Sequence, residues 1–63
     1  MLEQVILREQ FQVLLDKERE AEKVYAEQAA KVASGLLRAQ IEQLRRDKQR
    51  HIRLIERLLE IVD

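Results

Sequence analysis

The hydrophobic residues of this chain recur at helical spacing in two separate segments. Alternating steps of four and three residues return to one side of an α-helix. In the first segment these steps give Leu7, Phe11, Leu14, Glu18, Ala21, Tyr25, Gln28 and Val32. In the second segment they give Leu37, Ile41, Leu44, Lys48, His51, Ile55, Leu58 and Val62. The chain is therefore predicted to be all-α.

The two stripes do not share one register, which argues against a single long helix. Continued past Val32, the first stripe would next require Gly35 and then polar positions, which is a poor core. Ser34 is a suitable helix cap, and glycine tolerates the backbone angles of a turn. We predict one unit over residues 1–63, with helix one at about 2–32, a loop at about 33–36 and helix two at about 36–62.

Folding the chain back at this loop aligns the two stripes position by position, for example 14 with 55 and 18 with 51. This match predicts an antiparallel two-helix hairpin. A hairpin cannot cover its own apolar stripe, so we expect it to dimerise into a four-helix bundle. Four aliphatic residues lie one position off the stripes near the open end and suggest a second contact surface: Ile6, Val13, Leu54 and Ile61.

Composition narrows the class of protein. The 63 residues include 12 Lys and Arg and 12 Asp and Glu, so the net charge is zero and gives no overall attraction to nucleic acid. There is no Cys, which excludes disulfides. No apolar run is long enough to span a membrane, and the N-terminal residues lack the order of a signal peptide. We expect a cytoplasmic protein that makes no membrane contact.

Three ionisable residues interrupt the stripes where apolar residues are expected: Glu18, Lys48 and His51. The hairpin places them in adjacent layers at mid-helix. Because a buried charge costs several kcal/mol unless it is paired, they form either a mutually neutralising ion network or a ligand site. A wrong register, with all three facing solvent, is the third interpretation. Tyr25 lies two turns from Glu18 on the same face.

These residues carry a resemblance to a known family. Glu18, Tyr25 seven residues later, a short loop, and Lys48-x-x-His51 on the second helix resemble the half-bundle of ferritin-like proteins, especially rubrerythrin and the hairpin-sized encapsulated ferritins. The resemblance covers about residues 14–59. It implies a ferritin-like four-helix bundle of two hairpins around a metal site. It also implies iron or another divalent transition metal as cofactor, Glu18 and His51 as ligands, and Tyr25 as their aromatic neighbour.

Lys48 departs from the family pattern, because it stands where the second metal-binding Glu should be. An ammonium group brings positive charge to the site and offers no acceptor for a metal. We therefore expect no ferroxidase activity, a degenerate or altered metal centre, and a role mainly in oligomeric assembly. Asp47 and Glu22 are substitute ligands that no motif supports. The alternative is a metal-binding or iron-handling protein that uses Glu18 and His51 across a dimer.

Each predicted helix also carries a ladder of like charges on its outer side. The basic ladder on helix two is Arg46, Arg50, Arg53 and Arg57, and the acidic ladder on helix one is Glu9, Asp16, Glu20 and Glu27. Such ladders are usually solvated faces. A second alternative function is a small nucleic-acid-binding dimer, in which the arginines contact phosphates. No catalytic residue is predicted, since there is no Cys nucleophile or Gly-rich phosphate loop and Ser34 is interpreted as a cap.

Overall fold

Two long helices, joined by residues 32–34, form the described chain. The computed structural model describes residues 2–62, with α1 spanning Leu2–Lys31 and α2 spanning Gly35–Val62. Met1 and Asp63, at the ends of the predicted unit, lie outside the described residues. The hairpin measures 51 × 14 × 10 Å. The predicted all-α helical hairpin is confirmed over these residues, which contain no strand.

Ser34 starts α2 by capping it. The Leu37 amide donates to Ser34 Oγ at 3.3 Å, and the Arg38 amide donates to the Ser34 carbonyl at 3.0 Å. The bond to Ser34 Oγ satisfies an amide that has no partner inside the helix, and the bond to the Ser34 carbonyl is the first backbone hydrogen bond of α2. Gly35 is the first residue of α2 and does not have a positive φ, so the prediction that it lies in the loop is corrected. Because Ser34 already caps α2, the turn needs no left-handed residue at Gly35.

Arg38 ties the start of α2 to the end of α1. Its Nε donates to the carbonyl of Ala29 at 3.2 Å, and its Nη2 donates to the carbonyl of Val32 at 2.7 Å. The last carbonyls of a helix lack partners within it and attract positive charge. Arg38 therefore closes the turn, a role that the pattern of residues alone does not predict.

The contact between the helices is narrow. Leu15, Ala29 and Ile55 are the buried residues of the described chain, and Phe11 and Ile41 are half-buried beside them. Leu15 and Ala29 belong to neither predicted stripe. The contact between the helices is therefore centred between the stripe positions and the positions that directly follow them in sequence. Half of the stripe positions face the other helix, and the other half lie on one side of the hairpin.

Candidate self-association face and the Glu18 cluster

One side of the hairpin carries a continuous series of mostly apolar residues. Residues seven apart lie close to the same side of a helix. Each helix contributes one series of residues spaced seven apart. Because the helices are antiparallel, both series lie on the same side of the hairpin, where the His51 ring contacts Glu18. The members of this side, called the leucine face below, are Leu7, Leu14, Ala21 and Gln28 on α1 and Leu37, Leu44, His51 and Leu58 on α2.

The leucine face is open to solvent in the single hairpin. The four leucines other than Leu58 are exposed by 41% at Leu7, 43% at Leu14, 45% at Leu37 and 46% at Leu44. A contiguous apolar patch rimmed by polar groups marks an interaction site more often than isolated exposed aliphatic residues do.

The opposite side of the hairpin is polar. Arg19 Nη2 lies 3.4 Å from Glu56 Oε2, and Gln49 Nε2 donates to Glu22 Oε1 at 3.2 Å. Arg45 Nε donates to the same Glu22 oxygen at 2.8 Å, and this hydrogen bond is the main reason that the pKa of Arg45 is raised above its usual value. These groups are satisfied without a partner molecule. One side of the hairpin is therefore mostly apolar, whereas the other side consists of polar groups that bind each other.

Glu18 joins the two helices near the middle of the leucine face. Its Oε2 lies 3.3 Å from Lys48 Nζ and 3.4 Å from His51 Nδ1. The Glu18 side chain is 15% exposed, that of Lys48 is 27% exposed and that of His51 is 56% exposed. The carboxylate is thus largely shielded, while the imidazole reaches the open face. The structure brings together the three interrupting residues in one cluster, called the Glu18 cluster below.

The other candidate ligands are engaged elsewhere or stand apart. Glu22 binds Arg45 and Gln49, as described above. Asp47 Oδ1 accepts from Arg50 Nη2 at 2.6 Å and from Gln43 Nε2 at 3.4 Å. Tyr25 is half-buried. Neither substitute carboxylate is therefore directed into the Glu18 cluster.

One hairpin does not supply a complete metal site. Residues 2–62 contain no group of three or more His, Cys, Asp or Glu side chains that could hold a metal ion. The cluster offers one carboxylate and one imidazole, and the ammonium of Lys48 already contacts that carboxylate. A cation would have to displace Lys48 or repel it. The residues present in one chain therefore do not fit a di-iron centre.

The four arginines of the basic ladder are exposed, and so are the four carboxylates of the acidic ladder. Arg50 is paired with Asp47 on its own helix.

Comparison of the chain with protein-family models, with curated proteins and with solved structures gives no match. The relationship to ferritin-like proteins therefore rests on the residues quoted above and stays a hypothesis. Within the described part of the chain, neither helix contains a stretch both long and apolar enough to cross a membrane.

Proposed function

We propose that this protein is a self-assembling helical hairpin, in which two copies pack leucine face against leucine face to form a four-helix bundle. The observation that carries the proposal is the contrast between a core of three buried residues and four leucines, each more than 40% exposed, on one side. In this proposal the Glu18 cluster is a degenerate form of a ferritin-like metal centre. Its role is structural, and the protein has no turnover.

The accessible surface supports association. The chain exposes 5001 Å². A compact folded monomer of 7.5 kDa is expected to expose about 4,250 Å². The excess, about 750 Å², is close to the ~800 Å² that each partner buries in a standard protein interface. The elongated hairpin therefore exposes more surface than a compact monomer of the same mass, by about the area that one partner buries in a standard interface.

The Glu18 cluster is compatible with burial in such an interface. Each chain brings the Glu18 carboxylate together with the Lys48 ammonium, so this pair enters the interface without net charge. Covering the leucine face would desolvate His51 further, while its hydrogen-bond partner Glu18 is already in place. Polar groups of this kind within an apolar seam can fix register and oligomeric state at some cost in stability.

Sedimentation equilibrium tests the proposal directly. The wild-type protein at micromolar concentration should sediment with twice the 7.5 kDa chain mass. Leu14→Asp and Leu44→Asp each place a carboxylate on the leucine face and should yield monomers. Ala39→Asp, at an exposed position off the leucine face, is the matched control and should remain dimeric. A monomeric wild type, or a Leu14→Asp variant that still dimerises, would refute the proposal.

A further inference from the structure

The basic ladder lies on the side of α2 that points away from α1. Ile55 is buried against α1, and at ~100° per residue Arg46 falls directly opposite to it on the helix. By the same count the other three ladder arginines lie within about 40° of Arg46. The ladder therefore forms one straight stripe, which is about 16 Å long at ~1.5 Å per residue. All four of its arginines are exposed.

Three of the four ladder arginines have no partner within the hairpin. Among the described residues, Arg46, Arg53 and Arg57 make no hydrogen bond or ion pair, and Arg50 is paired with Asp47. The other lysine and arginine side chains of α2 are already engaged, because each binds a carboxylate or a carbonyl of α1: Arg38, Arg45 and Lys48. Three guanidinium groups on the outer side of α2 are therefore available to an external anion.

Few carboxylates offset this charge. Three of the four carboxylates within α2 already bind an arginine side chain, and Glu60 is the one described carboxylate of α2 without such a bond. The acidic ladder belongs to α1, on the other side of the contact between the helices. The outer side of α2 is therefore locally positive, although the whole chain has no net charge.

The kind of basic residue indicates the kind of anion. Each ladder position is an arginine, whereas the exposed basic residues of α1 include Lys17, Lys23 and Lys31. A guanidinium presents a planar fork that matches two phosphate oxygens, and an ammonium group does not. The arginines follow each other at about 4.5–6 Å along the helix axis. A regular row of phosphates, as in a nucleic acid strand with one phosphate per ~3.4 Å, is the anion that such a row of arginines fits.

Among nucleic acids, the structure favours double-stranded DNA. Proteins that bind single strands stack the bases on aromatic side chains. The aromatic residues of the chain are Phe11 and Tyr25, and both are half-buried on α1. An α-helix of ~10–12 Å diameter fits the major groove of DNA, which is ~12 Å wide, whereas the major groove of duplex RNA is too narrow.

A membrane surface is the other polyanion that a basic helix can bind. Such a helix carries a broad apolar face that enters the lipid beside its basic residues. The border of the ladder next to Arg50 instead mixes Leu54 and Ile61 with Gln43 and Asp47. The broad apolar side of α2 points toward α1 and the leucine face. The basic ladder therefore lacks the apolar neighbour that membrane binding requires.

We infer that the outer side of α2 binds the phosphate backbone of double-stranded DNA through the basic ladder. The four arginines contact phosphates and do not read the base sequence. This activity goes beyond the proposed self-assembly and does not require it, because the ladder and the leucine face occupy different sides of α2.

Fluorescence anisotropy of a short labelled DNA duplex tests the inference. Four phosphate contacts should raise the dissociation constant about 150-fold between ~50 and ~200 mM salt, with a slope of about −3.6 in the logarithmic plot. The double variant Arg46→Gln/Arg53→Gln removes two of these contacts and should reduce the slope by about 1.8. Lys17→Gln/Lys23→Gln removes the same charge from exposed positions of α1 and should bind as the wild type does. Glutamine is a good helix former, so circular dichroism should show unchanged helicity in both variants.

Several outcomes would overturn the inference. Equal losses in the two double variants would mean that overall charge, and not the basic ladder, attracts DNA. Absence of wild-type binding at ~50 mM salt would have the same consequence, as would equally tight binding to single-stranded DNA, to duplex RNA or to vesicles of anionic lipid. Sedimentation tests the proposed function separately. A monomeric wild type that binds DNA through the ladder would overturn the proposed dimer alone.

Discussion

At the scale of single residues, Glu18 has the most demanding environment in the chain. Its carboxylate is shielded from solvent and shared between a lysine and a histidine. No buried side-chain polar atom among the described residues lacks a hydrogen-bond partner, so the interruption of the apolar stripe is compensated locally. Lys48 places a positive charge beside the Glu18 carboxylate, at the position where the ferritin-like pattern has a second carboxylate.

Replacing Glu18 with Ala should lower the free energy of unfolding by about 1.5–3 kcal/mol, because hydrogen bonds to charged groups contribute about that much and Lys48 loses its carboxylate. Urea unfolding at one fixed protein concentration measures the change. Glu56→Ala is the control, since Glu56 is 48% exposed and pairs with Arg19 at 3.4 Å, and it should cost under about 1 kcal/mol. Equal losses in the two variants would contradict the shielding of Glu18.

Lys48→Glu tests whether the cluster is a degenerate metal centre. Without metal, the variant should be less stable than the parent, because a second carboxylate beside Glu18 replaces a favourable ammonium. Fe(II), Co(II) or Mn(II) should restore stability, by ~2.7 kcal/mol at ~100 times the dissociation constant. Unfolding of parent and variant with each metal and with chelator measures this. The same metal response in both proteins would count against the role assigned to Lys48.

At the scale of the helices, the sequence predicted the two elements and their antiparallel course but not the side on which they meet. The apolar stripe of each helix is wide enough to face two neighbours, so Leu14 and Leu15 are equally suitable for the contact. Only the structure shows that Leu15 is buried while Leu14 is 43% exposed. The hydrogen bonds of Arg38 also escaped sequence analysis, because the spacing of residues does not show which carbonyl a long side chain will reach.

Gly35→Ala should stabilise the hairpin by about 0.4–1 kcal/mol, since alanine restricts the unfolded chain more than glycine does. Gly35 lies within α2 and has no positive φ, and a methyl group added there would meet no atom within 4 Å. Thermal unfolding monitored by circular dichroism measures the change. If the glycine were needed for the turn, as its place between the two apolar stripes predicts, the variant would instead melt at a lower temperature.

At the scale of the whole molecule, folding and association should be a single process. A chain of 63 residues, with three buried side chains among residues 2–62, has little core of its own. Chains of this size usually need disulfides, a structural metal or self-association to be stable. Because the chain has no cysteine, association with a second copy is the simplest of these.

Thermal stability should consequently depend on protein concentration. Dilution from ~100 μM to ~1 μM lowers the stability of a folded dimer by about 2.7 kcal/mol, which corresponds to a fall in Tm of about 10 °C for two chains of this length. Helicity followed by circular dichroism over this range measures the shift. Ala39→Asp should show the same dependence as the wild type, because its exposed position lies off the leucine face. A Tm independent of concentration would mean that the hairpin is stable alone, and that the leucine face serves some purpose other than self-association.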